Sequence, residues 1–480
     1  MTALEEDRIV EDDSPAAPKN VVVQMSNTDH ITSKSTSSFA KQHMDIAQEM
    51  KNDKELQQEP TAKYPQPMKF RGPKNERQEA VVKAFHHAWN GYKKYSWGHD
   101  HLLPLSQYHQ DWFDMGLTLV DSIDTMYIMG LQEEFQEARE WVANGLNVAV
   151  NEYVNLFEVI IRVLGGLLSA YHLSGDPLFL TKAEELGQNL MPAFALSGSG
   201  IPLSDVNPYS RHARSPSWST ASSTSEVTTI QLELRALSRA TGNPLFEKAG
   251  MRVSEIVHEL PKMSGLVPIF INPKTGKFQP HATITLGARG DSYYEYLLKQ
   301  WLQTGKSLPM FKDDFIEAFK GIKSFLARRT FVNNLLFIGE LKSGQAATFY
   351  KKMDHLTCFL PGTLILAVEN GLPEYMKSFG EELLKTCYLT YKWNPTFLAP
   401  EITHFNFEAF EKYTRVEHGY SSIKDVRNPE NPGYKDKMES FFLGETLKYF
   451  YLLFSDTPHE FDLTQWVFNT EGHPLPIFDS

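Results

Sequence analysis

Several carboxylates in this chain stand where the surrounding pattern asks for buried helix. In NLFEVIIRVLGG (155–166), Glu158 and Arg162 lie one turn apart inside an otherwise apolar run. A desolvated carboxyl has a raised pKa suited to donating a proton, and an arginine one turn on would position it; the same spacing also describes an ordinary intrahelical ion pair. GARGDSYYEYLLKQW (287–301) sets Arg289, Asp291 and Glu295 at the head of a strongly aromatic helix. Carboxylates beside aromatic rings suit sugars, which bind by stacking and hydrogen bonds, whereas helix capping by Asp291 is the plainer reading. In MDHLTCFLPGTL (353–364), Asp354 and His355 open an apolar helix, where a satisfied core histidine competes with a catalyst. VFNTEGHPLP (467–476) crowds Thr470, Glu471 and His473 ahead of two prolines, an oxygen-rich cluster that fits a hard cation or a capped terminus.

Other chemistries find little support. His99 and His101 in WGHDHLLP are two residues apart, so they share no helix face, and no further Cys or His stands at ligand spacing, which argues against zinc. SGSG at 197–200 lacks the strand, lysine and helix start of a phosphate loop, and neither G-x-S-x-G nor HExxH occurs. A net charge of −12 with no run of Lys or Arg argues against nucleic acid and against docking to anionic membranes. Charges interrupt the long apolar stretches and the start MTALEEDRIVEDDSP is acidic, so neither a membrane span nor a secretory signal is expected from the chain as written. Two cysteines, Cys358 and Cys387, allow one disulfide or two inert thiols.

The elements that must position these residues are helices. Residues 1–75 read as a disordered tail or stem, rich in Ser, Gln, Asp and Lys and then in Pro. From ERQEAVVKAFHHAWNGYKKYSW onward, apolar residues recur at spacings of three and four with Gly, Pro or Asn-Pro between segments, which predicts about twelve helices. A weak repeat pairs a helix carrying an early carboxylate (Asp124, Glu158, Glu226, Asp291, Glu439) with a Gly/Asp turn and a more amphipathic helix. Steps of 68 and 65 residues from Glu158 to Glu226 and on to Asp291 suit one helical hairpin per repeat. A ring of hairpins with the apolar helices inside would bring these carboxylates to one mouth. GLVPIFINPKTGKF (265–278) reads as a β-hairpin inserted between helices.

These segments closely resemble a family from about residue 78 onward: the class I α-1,2-mannosidases of glycoside hydrolase family 47, nearest to the endoplasmic-reticulum type that trims high-mannose N-glycans. The resemblance rests on WGHD, GLTLVDSIDTMYIMGL, NLFEVIIRVLGGLLSAYHLSGD, EVTTIQLELRALSRATGN, ITLGARGDSYYEYLLKQW, KMDHLTCFLPGTL, GYSSI, DKMESFFLGETLKYFYLLFSD and FNTEGHPLP, in that order. It implies an all-α (α/α)7 barrel, a Ca2+ ion at the bottom of the pocket, a monomeric enzyme in the endoplasmic reticulum, and inverting hydrolysis with an acid and a base on opposite faces of the sugar. It implies Glu158 as the acid and Asp291 as a second catalytic carboxylate. Arg162, Glu226, Arg289, His355, Phe441, Glu445 and Glu471 then match sugar-binding or calcium-water positions, Thr470 the calcium ligand, and Cys358 with Cys387 a disulfide.

The chain departs from the family after APEITHFNF, where HFNF runs straight into EAFEKYTRVEHGYSSI. The family there has an inner helix opening on Arg-Pro-Glu-x-x-Glu-Ser, which supplies its general base. No Arg-Pro-Glu occurs here, and roughly fifty residues, about one hairpin near 407–408, are expected to be absent from the catalytic domain spanning 76–480. Twelve helices also fall short of the fourteen that seven hairpins require. The alternative expectation is therefore a form that binds mannose glycans without cleaving them, Glu401 or Glu439 being weak substitutes for the base. A terpene cyclase or six-hairpin glycosidase would need a metal-binding Asp motif or another carboxylate arrangement, and neither is present.

Overall fold

Helix α1 (Glu76–Tyr95) begins where Asn75 Oδ1 accepts the Gln78 N–H at 2.9 Å, with Glu76 and Glu79 in its first turn and Lys93 and Lys94 in its last, both matched to the helix dipole. The computed structural model describes residues 67–480 apart from 218, 331–333, 393–395, 399–413, 427, 429–430, 457–460 and 479–480. Most of the expected tail, the proposed junction at 407–408 and Glu401 therefore lie outside the described residues. Residues 67–75 correct the tail's boundary. Met68 N–H donates to Leu173 O at 3.1 Å, the Tyr127 hydroxyl donates to Met68 O, and the Phe70 ring packs on Tyr127 and Phe461. Those apolar contacts hold the segment on the helices that follow.

The helices alternate between an inner and an outer layer. The inner ones are α2 (Leu117–Ile128), α4 (Leu156–Ser174), α6 (Gln231–Thr241), α8 (Asp291–Gln303), α10 (Leu360–Glu369) and α12 (Leu447–Leu453). The outer ones are α1, α3 (Gln132–Asn144), α5 (Pro177–Leu190), α7 (Leu245–Glu259), α9 (Pro309–Gly321) and α11 (Tyr375–Lys392). The twelve-helix expectation holds among the described residues. Each inner helix packs on its outer partner, and α2, α4, α6, α8 and α10 pack in succession. A π-helical turn, Phe442–Thr446, leads into α12 and packs on α2. Between α10 and that last element packing among the described residues is slight, so the ring has a seam there.

Inner helices are apolar around most of their circumference because both faces are covered. Every residue of α2 except Tyr127 is buried. Two glycines let its neighbours close in: a Cβ on Gly166 of α4 would lie 2.7 Å from Val120 O, and one on Gly444 would lie 2.7 Å from Asp121 O. Helix α4 is long and apolar enough by composition to cross a membrane, with mean hydropathy 1.5, yet 78% of that window is buried inside the ring and it carries Glu158 and Arg162. It is the core helix of a barrel.

Small sheets line the ends. Strands β1 (His101–Leu103) and β2 (Tyr108–Gln110) form an antiparallel hairpin before α2. The expected hairpin at 265–278 is Phe270–Asn272 paired with Lys277–Phe278, and Ser222–Ser223 adds a third strand. After α12, β3 (Trp466–Phe468) and β4 (Pro474–Pro476) make a further hairpin that packs against α4, α6 and α8, plugging the ring from within.

Cys358 and Cys387 are bonded, tying the turn before α10 to α11. The bond closes a separation of 29 residues, for which loop entropy corresponds to about 3–4 kcal/mol. A C358A/C387A variant should lose that much in urea unfolding. A loss under about 1 kcal/mol would show that the hairpin is held by packing alone.

Candidate active site

Helix starts set the site. Asn155 Oδ1 accepts the Glu158 N–H at 3.0 Å and Ser223 Oγ accepts the Glu226 N–H at 3.4 Å, so the caps that begin these helices also fix the backbone of the two glutamates. Asp291 is the first residue of α8, preceded by Arg289 in a left-handed conformation at φ +71°. That strained turn, whose Arg289 carbonyl accepts from Ser225 N–H at 3.0 Å, aims Asp291 inward. Arg162 and Glu445 both sit on π-helical turns, Val159–Leu164 and Phe442–Thr446, where an extra residue per turn reorients side chains relative to a regular helix.

All of these open onto one cavity of about 880 Å3. Glu158, Arg162, Glu226, Arg289, Asp291, His355, Phe441, Glu445, Thr470 and Glu471 line it, so every pocket position expected from the sequence is brought to the same place. Of the plainer local readings, the Glu158–Arg162 ion pair is present at 2.8 Å, whereas Asp291 is the first residue of α8 and makes no side-chain cap, and His355 is half-buried on the cavity wall instead of in the core. Glu295, Lys299 and Tyr449 also line it. Glu295 binds Lys299 at 2.5 Å and accepts the Thr470 hydroxyl at 3.2 Å, and its i, i+4 pairing with Lys299 was readable from sequence.

The turn between β3 and β4 forms the floor. Asn469 Oδ1 accepts the N–H groups of Glu471 at 2.9 Å and His473 at 2.8 Å, while Asn469 Nδ2 donates to Glu233 Oε1 at 2.9 Å. Arg162 then joins Glu471 to Glu158, donating through Nε to Glu158 at 2.8 Å, and stands 3.8 Å from Asp121. Beneath it the buried His473 ring lies between Asp124 and Asp121, 3.0 Å from each, and the equally buried Lys448 ammonium is 2.9 Å from Asp124. Burial works against charge in this layer. The opposite charges outweigh it, raising the His473 imidazole and lowering Asp121 and Asp124, so the cations and carboxylates pair.

Above that layer negative charge is in surplus. Burial pushes Asp291 up to about 7 and Glu445 up to about 7, and Asp121 adds to the second shift. Burial likewise raises Glu226 and Glu471, and Glu445 and Asp121 add to the latter against the pull of Arg162. A cavity with this field takes a neutral polyhydroxylated ligand and a cation more readily than an anion.

The sequence profile of Glycosyl hydrolase family 47 matches residues 84–408 and 406–477. The chain belongs to that family. The endoplasmic reticulum mannosyl-oligosaccharide 1,2-alpha-mannosidase of Mus musculus is 48% identical over 456 residues, covering 85% of this chain and 69% of that protein. The Homo sapiens protein of the same name is 47% identical over 454 residues, covering 84% of this chain and 64% of its own length. Among solved structures, the alpha-1,2-mannosidase from Trichoderma reesei superposes with a TM-score of 0.77 at 25% identity, covering 85% of this chain and all of that one. The fold is thus the α/α barrel of this glycosidase family. The two profile segments meet at 406–408, and 85% of 480 residues is roughly fifty fewer than the 456 positions aligned with the mouse protein.

Proposed function

We propose that this protein is an inverting mannosyl-oligosaccharide 1,2-α-mannosidase acting on terminal α-1,2-linked mannose of high-mannose N-glycans. The observation that carries the reading is the convergence of Glu158, Asp291 and their matched neighbours on one acidic cavity with Thr470 and Glu471 at its floor. Phe441, 41% exposed, offers a ring face for a sugar, and Arg289, His355 and Glu226 offer hydrogen bonds to hydroxyls. Proton delivery falls to the Glu158–Asp291 pair. Asp291, held near 7, carries a proton over part of the neutral range, as a general acid must. Glu158 is oriented by Arg162, which is itself anchored by Glu471.

A calcium ion fits the floor. The donors there are hard oxygens, the Thr470 carbonyl and hydroxyl, with Glu295 accepting that hydroxyl at 3.2 Å and Glu226, Glu445 and Glu471 lining the same cavity, whose surplus negative charge a divalent cation offsets. Thr470 would hold the ion and the carboxylates its water shell. Bound there, calcium supplies an electrostatic anchor for sugar hydroxyls.

The seam between α10 and the Phe442–Thr446 turn lies where the profile match breaks, and we assign the roughly fifty unaligned positions to one absent hairpin of the ring. Action in the endoplasmic reticulum is the matching expectation from the relatives' names.

The test is release of mannose from a high-mannose glycan by the chain as written and by a version carrying the mouse segment at 407/408. Calcium-dependent release with inverted anomeric configuration is expected, faster after insertion, and chelation should remove activity and lower Tm in both forms. Release by the restored chain alone would locate the deficit in the missing hairpin and leave the pocket assignment standing. Glycan binding without release by either form, or a retained anomer, would overturn the assignment.

A further inference from the structure

The β1–β2 hairpin gathers a second polyvalent cluster at the end of the ring where the inner helices begin. His99, His109 and Asp111 place their ligand atoms within 4.8 Å of one another. None of the three lines the cavity described above. We propose that they form a site for a divalent transition-metal ion of the zinc class.

The backbone fixes all three positions without a metal. His99 N–H donates to Ser96 O at 2.9 Å, and its carbonyl accepts the Tyr92 hydroxyl at 2.7 Å. His109 is held opposite Leu102 by strand pairing. Asp111 enters a turn pinned by the buried Asp100 carboxylate, which accepts the N–H groups of Trp112 at 2.7 Å, Asp114 at 2.7 Å, Met115 at 3.1 Å and Leu117 at 2.9 Å. Because the anchors are rigid, a ligand gains affinity from geometry already in place.

Asp111 Oδ1 accepts the Asp100 N–H at 3.0 Å, which leaves Oδ2 toward His99 for an ion. His99 Nδ1 lies 2.9 Å from Asp111 Oδ2, and the His99 and His109 rings lie 3.5 Å apart and nearly parallel, at 9°. The His109 ring nitrogens have no hydrogen-bond partner among the described residues. Side chains of His99 and Asp111 are 38% and 33% exposed, so rotation alone can draw the donors toward the separation of about 3.3 Å found around a tetrahedral ion with bonds near 2.0 Å. Local charge favours a cation. Burial first, then the negative charges of Asp111 and Asp100, push the Asp114 carboxyl up.

Two imidazoles and one carboxylate select a borderline metal over calcium, and three protein ligands leave one position for water. Bound there, the ion staples the hairpin to the turn that starts α2. Leu102 O accepts the Met438 N–H at 3.0 Å, so the same staple steadies the segment leading to Phe441 at the cavity wall.

The experiment uses the full chain in saturating calcium, with Zn2+ competed against a chromophoric chelator. One zinc per chain is expected, weakened about tenfold or more in H109Q and in D111N and unchanged in H258Q, a surface histidine paired with Asp314 elsewhere. The parent should also show the visible d–d band of bound Co2+, displaced by Zn2+ and not by Ca2+. Unchanged zinc affinity in H109Q and D111N, displacement by calcium, or no cobalt band in the parent would overturn the site.

Discussion

Replacing Asp291 by asparagine is expected to lower kcat for mannose release by about 10²–10⁴-fold while leaving thermal stability near that of the parent. The two halves of this expectation share one cause. Asp291 opens α8 in the wall of the cavity, where burial, ahead of the nearby charge of Glu295, raises its carboxyl to about 7. A neutral amide of the same shape meets the same surroundings without an ionisation cost, so the fold tolerates it. It has no acidic proton to give, so catalysis does not. The sign in pH follows. An acid catalyst works protonated, so parent activity should fall as pH rises through about 7, and the residual activity of D291N should lack that descent. Steady-state pH profiles of the two proteins, with E158Q beside them, check this. Activity of D291N within tenfold of the parent would remove Asp291 from proton delivery.

Arg162→Met should cost about 3–5 kcal/mol of folding stability, because it removes one partner of a buried ion network. Arg162, whose side chain is 14% exposed, holds its charge because Glu471, Glu158 and Asp121 together outweigh the cost of burial. Without it those carboxylates face one another and Glu445 uncompensated. The deficit should depend on pH with a definite sign. Carboxyls whose folded pKa is raised, such as Glu445 near 7 against an unfolded value of about 4.3, bind more protons folded than unfolded, so they favour the folded state more as pH falls through that interval. Unfolding by urea at pH 5 and pH 8 should therefore show the larger loss at pH 8. A loss that is small or equal at both values would mean that Arg162 only orients Glu158.

The residues of the site were legible because each sits in a local motif with its own physical reason. Asn155 and Ser223 cap the turns that carry Glu158 and Glu226. Of the five carboxylates in the expected repeat, Glu158, Glu226 and Asp291 line the cavity, whereas Asp124 is buried beneath it against His473 and Lys448 and Glu439 is not in its lining. The resemblance then supplied roles that spacing had left open. The tail boundary was misplaced because Met68 and Phe70 are isolated apolar residues in a polar stretch, and their partners, Leu173, Tyr127 and Phe461, are remote in sequence. His99 and His101 share no helix face and have no further Cys or His at ligand spacing in sequence; the histidine that meets His99 in space is His109, brought there by the β1–β2 pairing.

By itself, then, the sequence determined the helical layer order and the helix starts that carry Glu158, Glu226 and Asp291, while it left the two cysteines open between a bridge and two thiols. Hydrophobic period, caps and turn residues act over a few positions and are visible in any window of the chain. Only the tertiary structure decided which charges meet. Arg162 reaches Glu471 across 309 residues, His473 divides its ring between Asp121 and Asp124, and burial sets Asp291 and Glu445 near 7. Desolvation and Coulomb attraction depend on what surrounds a group in space, and those surroundings exist only once the ring has formed and the β3–β4 plug has entered it.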